Sequence, residues 1–157
     1  MGFSDTYNTL PPNSFYNQTP YSGLETHISN SYANPILQIM HFTPLIRNIA
    51  LLHAASACIS ESCLLCELGF LFDMLEKAAG SVCQATNMLK ALSNHQTAQV
   101  LGFLEEDSRG LAPNLMLQRL TRFLAERIVD DYGTTAESQD SVQDVRRSPL
   151  SDDLFRT

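Results

Sequence analysis

Between Asn34 and Asp131 the apolar residues recur at three- and four-residue steps and nowhere settle into a sustained alternation. That spacing lays apolar side chains along one stripe of a helix, whereas a half-buried strand needs a period of two. The chain is therefore predicted to be mainly α, with no strand and no internal repeat. Asn34 to Phe42 predicts a short apolar helix, and Thr43-Pro44 supplies an N-cap and a first-turn proline for a second one, running to about His53. Ser62 offers a cap for a third helix from Cys63 to about Ala79, in which Leu65, Leu68, Phe72 and Leu75 share a face and Gly80 suits a left-handed stop. Val82 to Leu92 keeps a looser helical register through Cys83, Met88, Ala91 and Leu92, and Gln96 to Glu105 a weaker one. Pro113 to Asp131 predicts a long amphipathic helix with Leu117, Leu120, Leu124 and Ile128 in one stripe, stopped at Gly133.

The flanks differ in kind. Residues 1–22 mix proline, glycine, polar residues and aromatics without periodicity and read as an extended lead-in, while residues 133–157 are polar and charged and read as a disordered loop or tail. The 157 residues leave room for one core, here residues 23–132. A net charge of −7, with Arg47 as the first Lys or Arg, argues against an autonomous nucleic-acid binder, which needs clustered cations against phosphate. Charged residues reach only 17%, below the roughly 25% usual for soluble domains, so part of the surface is expected to be covered. No stretch reaches the ~18–20 apolar residues of a membrane helix, and Met1 to Leu10 lacks the pattern of a secretory signal. A reducing, cytoplasmic setting and no membrane partner are the expectations.

Ser22 to Met40 reads S-G-L-E-T-H-I-S-N-S-Y-A-N-P-I-L-Q-I-M. It resembles the cysteine box of ubiquitin-specific proteases, with Gly23, Leu24, Tyr32, Asn34, Leu37 and Gln38 matching and the catalytic elements lost. Ser31 stands at the place of the nucleophilic cysteine, Thr26 at that of the oxyanion-stabilising asparagine, Ile28 at that of a glycine and Pro35 at that of a serine. With Thr19 to Tyr32, Cys63 to Leu75 and Cys83 to Leu92 in order, the chain is more closely similar to the catalytically inactive ubiquitin-hydrolase-like domain of the large, exonuclease-bearing subunit of the poly(A)-nuclease deadenylation complex. The resemblance covers roughly residues 16 to 132. It implies the helical front half of a papain-like, ubiquitin-hydrolase α+β fold whose β-rich half lies outside this chain, which is expected to be a fragment.

The chemistry is weighed on the same residues. A thiol protease needs a thiolate at a helix start, a histidine base and oxyanion donors. A serine hydroxyl in that place is nearly inert without a strong base, so Ser31 is expected to serve as a helix N-cap, with Asn30 competing for that role. His27, His41, His53 and His95 form no late histidine box. Cys58, Cys63, Cys66 and Cys83 could suggest a four-thiolate zinc site, but Cys63 and Cys66 flank Leu64-Leu65 at the start of an apolar helix, which favours packing as small hydrophobes. The expectation is no metal and no cofactor. Arg119, Arg122 and Arg127 alternate with acids and read as a solvated face, and Glu105, Glu106 and Asp107 as a helix-end loop.

The resemblance thus implies a non-catalytic scaffold in a poly(A)-specific 3′–5′ exoribonuclease subunit. Its implied partners are the nuclease and other domains of that subunit and a pseudokinase-like regulatory subunit, with poly(A) RNA reached only through the assembly and no ubiquitin bound. A deubiquitinating fragment using Ser31 and an unrelated helical adaptor are the alternatives. With the β-rich half outside the chain, the helices at 63–79 and 113–131 are expected to leave apolar stripes partly open to water.

Overall fold

The computed structural model describes residues 17–56, 58, 60, 63–105 and 110–146, with side chains as far as Gly133. A two-residue strand β1 (Gly23–Leu24) leads through a 3-10 turn (Ser31–Ala33) into α1 (Asn34–Phe42), α2 (Pro44–Ala55) and α3 (Leu64–Lys77). Strand β2 (Val82–Cys83), α4 (Thr86–Asn94), α5 (Gln96–Leu101) and the long α6 (Pro113–Arg146) complete the order. β1 and β2 pair in parallel, Gly23 opposite Val82 and Leu24 opposite Cys83. The expectation of no strand, and of helix from Val82, is corrected here. Two-residue strands are too short to show a period, and the helix begins only at Thr86.

Thr43 adopts an extended backbone that separates α1 from α2, and Pro44 occupies the first turn. The Thr43 hydroxyl does not cap α2; it donates to the Ile39 carbonyl at 2.8 Å. Gly80 has a φ of 89°, as a helix stop requires, and a Cβ there would meet the Thr19 carbonyl at 2.8 Å. The turn after α3 therefore seats the segment leading into β1, with the Gly80 N–H donating to Ser22 Oγ at 3.1 Å.

α2 and α3 run antiparallel, Arg47 beside Glu76 at one end and His53 against Cys63 at the other. Their closest approach is at Gly69, where a Cβ would lie 2.3 Å from the Ala50 carbonyl oxygen and 2.6 Å from Ala54 Cβ. Leu65, Leu68, Phe72 and Leu75 are buried, joined by Leu37, Met88, Leu92, Phe103, Leu120, Phe123 and Leu124. The α3 stripe expected to lie partly open to water is thus core, closed over by α1, α4 and α6, whereas on α6 Leu120 and Leu124 are buried and Leu117 and Ile128 stay half-buried. Exposed apolar surface lies elsewhere, on Ile39 and Phe42 of α1, Leu45 and Leu52 of α2, and Phe70 of α3.

α6 does not stop at Gly133 but continues to Arg146, which corrects the tail predicted from residue 133. A helix interior tolerates one glycine at a cost of about 1 kcal/mol, too little to end a helix already propagating. Residues 147–157, and residues 1–16 of the lead-in, lie outside the described residues, as does Ser62, the expected cap of α3.

His41 packs between the rings of Phe42 and Phe72, with Nε2 4.0 Å from Glu76. Burial lowers its pKa from the ordinary 6.5, Glu76 opposing and Arg47 reinforcing the shift. As pH falls, the unfolded chain takes up a proton that folded His41 resists. This contribution to stability is therefore fully present above the unfolded pKa and lost as pH falls from there through the folded one. Urea unfolding at about pH 7.5 and about pH 5.5 should show the parent losing stability on acidification, with a smaller loss in His41→Gln. Gly69→Ala should cost about 1–3 kcal/mol by overpacking, whereas Gly133→Ala, with nothing within 4 Å of its Cβ, should gain about 0.5–1 kcal/mol.

Candidate functional site

The residues of the cysteine-box resemblance converge around an open cleft of about 530 Å³ lined by Leu24, Thr26, Ser31, Tyr32, Asn34, Pro35, Gln38 and Glu105. Ser31 is the first residue of the 3-10 turn, not its cap. Its hydroxyl donates to the Thr26 carbonyl at 2.9 Å, and its backbone N–H to the Ile28 carbonyl at 3.1 Å. Asn30 holds the cap position at a φ of 62° without a side-chain capping bond, which replaces the expected Ser31 cap. The Asn30 side chain is spent on tertiary contacts: Nδ2 donates to Ser93 Oγ at 3.1 Å, and Oδ1 accepts from the Glu105 N–H at 2.8 Å. In return Glu105 Oε2 accepts from the Asn30 N–H at 2.8 Å.

This network decides what the cleft can do. Acyl transfer needs N–H donors aimed at a developing oxyanion. Here the N–H groups of Asn30 and Ser31 are both engaged inside the protein, and a carboxylate occupies the wall of the cleft. A fixed negative charge there opposes both deprotonation of Ser31 and build-up of an oxyanion. Burial, and then the charge of Glu105, also push the Tyr32 phenol up to about 12, and its hydroxyl donates to the Phe103 carbonyl. Asn34 Nδ2 donates to the Glu25 carbonyl at 2.9 Å, and Leu37 points into the core. Gly23 is not required by space, since nothing lies within 4 Å of a Cβ there. His41 faces Glu76, His53 a cysteine and His95 the ring of Phe123.

A second cluster lies where α2 ends and α3 begins. The ligand atoms of His53, Cys58, Cys63 and Cys66 all lie within 4.8 Å of one another. Cys83, the fourth thiol weighed from sequence, is about three turns of α3 away, its Sγ 3.9 Å from the Met74 carbonyl. His53 takes that fourth place, 3.1 Å from Cys63 Sγ. Cys63 caps α3, its sulfur accepting from the Cys66 N–H at 3.4 Å. Asp131 of α6 accepts from the Leu65 N–H at 3.3 Å and from the Cys63 thiol at 3.5 Å. Burial raises the pKa of Cys63; burial and then Cys58 push Cys66 up to about 11, and burial lowers that of His53 against the pull of Asp131. Sequence spacing carried the signal as H-x4-C-x4-C-x2-C, hidden because the histidine sits on an apolar helix.

Three arginines of α6 are engaged: Arg119 donates to the Leu101 carbonyl at 2.9 Å, Arg122 to Glu126 at 2.9 Å, and Arg127 to Asp130. Glu106 and Asp107 lie outside the described residues.

The family described as ubiquitin carboxyl-terminal hydrolase matches residues 22–155. The chain is 60% identical over 120 residues to the PAN2-PAN3 deadenylation complex catalytic subunit PAN2 of Chaetomium thermophilum, covering 76% of this chain and 10% of that protein. In structure it is similar to the Neurospora crassa Pan2 catalytic unit (protease and nuclease domain), with a TM-score of 0.73 and 53% identity, over 76% of this chain and 20% of that one. It is also similar to the Saccharomyces cerevisiae Pan2 pseudoubiquitin hydrolase-RNA exonuclease module in complex with A7 RNA, with a TM-score of 0.66 and 29% identity, over 80% and 22%. The chain thus spans about a tenth of the length of such a curated relative and about a fifth of the solved chains.

Removing the Glu105 carboxylate would leave the buried N–H of Asn30 without its acceptor. Glu105→Ala should cost about 1–3 kcal/mol in denaturant unfolding, and Glu105→Gln, whose amide oxygen still accepts, clearly less.

Proposed function

We propose, for a chain that belongs to the ubiquitin carboxyl-terminal hydrolase family, a role without turnover: the helical part of a scaffold and interaction module in a cytoplasmic poly(A)-specific exoribonuclease subunit. The observation that carries this reading is the Asn30–Glu105 exchange beside Ser31, which uses the site's donors for folding and sets an anion in the cleft. Similarity to PAN2 subunits, and to structures joining a pseudoubiquitin hydrolase to a nuclease, supports the deadenylase context. Partners in this reading are the nuclease and other domains of the parent subunit and its pseudokinase-like regulatory subunit. Poly(A) is reached through the whole assembly. The exposed Leu45, Leu52, Ile39, Phe42 and Phe70 are the apolar surface such contacts would cover. Among the described residues no helix is long and apolar enough to cross a membrane.

The test is incubation with a fluorogenic ubiquitin ester and a ubiquitin-derived suicide probe. The chain should stay at background, and Ser31→Cys should stay there too, because Glu105 and the engaged N–H groups remain. Probe labelling at position 31, or turnover restored by that one substitution, overturns the non-catalytic reading and favours a hydrolase.

A further inference from the structure

We infer that His53, Cys58, Cys63 and Cys66 are the ligands of a structural zinc ion that joins the end of α2 to the start of α3. The three thiols and one imidazole come from one stretch of chain and bring their ligand atoms within 4.8 Å of one another. Tetrahedral zinc, at about 2.3 Å from sulfur and about 2.0–2.1 Å from nitrogen, needs ligand separations of about 3.6–3.8 Å, which rotamer adjustments supply. The His53–Cys63 distance of 3.1 Å is already at that scale.

Burial disfavours free thiolates here, so the ion's own charge has to stabilise them, helped by the local geometry. Cys63 and Cys66 form a C-x-x-C pair on the first turn of α3, where the Cys66 N–H already points at Cys63 Sγ and the helix dipole favours negative charge. Binding would release the three thiol protons to solvent, leaving a zinc site of net charge −1 from Zn²⁺ and three thiolates. Asp131 then gives up the Cys63 proton as a donor but keeps the Leu65 N–H, which holds its carboxylate at the helix start. Burial favours neutral His53, the form that ligates.

The ligand chemistry selects the ion. Soft thiolates exclude magnesium and calcium, and three sulfurs with one imidazole form a closed structural set of the kind zinc takes. Two of the ligands sit on the packed helices themselves: His53 lies one turn beyond Ala50 and Cys66 one turn before Gly69, at the same end of the closest approach of the helices. The ion would tie down the connection between α2 and α3, which carries Cys58.

The experiment is elemental analysis of the tag-free chain purified without chelator, with cobalt substitution as a spectroscopic readout. About one zinc per chain is expected, with Co(II) giving thiolate charge-transfer and tetrahedral d–d bands. Cys58→Ser and Cys66→Ser should each lower zinc content several-fold and abolish those bands, while Cys83→Ser should retain both. Zinc below about one-tenth per chain together with no cobalt bands overturns the site. So does zinc that survives both Cys58→Ser and Cys66→Ser, or that is lost with Cys83→Ser.

Discussion

The backbone of α3 lies against that of α2 at Gly69, and the rest of the structure is arranged around that contact. No side chain larger than hydrogen fits there, since a Cβ would sit 2.3 Å from the Ala50 carbonyl oxygen. Helices that approach this closely have their rotation and register fixed by backbone, not by adaptable side chains. That register sets Phe72 beside His41, Glu76 near Arg47, and His53 against Cys63. α6 then reaches from Phe103 and His95, which its Phe123 packs against, to the start of α3, where Asp131 accepts from Leu65.

In the cleft, residues beside Ser31 are committed to tertiary hydrogen bonds. Asn30, buried and held at positive φ, exchanges two hydrogen bonds with Glu105 from 75 residues away and a third with Ser93. Each bond satisfies a group that would otherwise be orphaned, so the network stabilises the fold while taking up the Asn30 N–H beside Ser31.

The exposed apolar residues follow a simple geometry. α1 and α2 bury one side each against α3 and leave Ile39, Phe42, Leu45 and Leu52 on the other, with the ring of Tyr21 edge-on to Phe42 at 5.4 Å. Such residues on adjacent helices are a surface on which another folded unit can pack, in keeping with relatives in which the matched region is a small part of a larger chain.

The sequence by itself determined the helical class, the span of α1, the proline start of α2, the buried stripe of α3 and the box around Ser31, because each of these rests on neighbours within a few residues. It also carried serine at position 31, which is a matter of identity alone. It did not carry β1 and β2, since a two-residue parallel pair exists only through residues some 60 apart in sequence. Nor did it place Asn30, whose partners Ser93 and Glu105 are equally remote, or the continuation of α6 past Gly133, where a modest local penalty is outweighed by propagation. The cysteines show the division most clearly. Their spacing was visible from the start, but whether Cys83 or His53 completes the group depends on how α2 lies on α3. That was decided by the one contact, Gly69 on Ala50, that only the tertiary structure reveals.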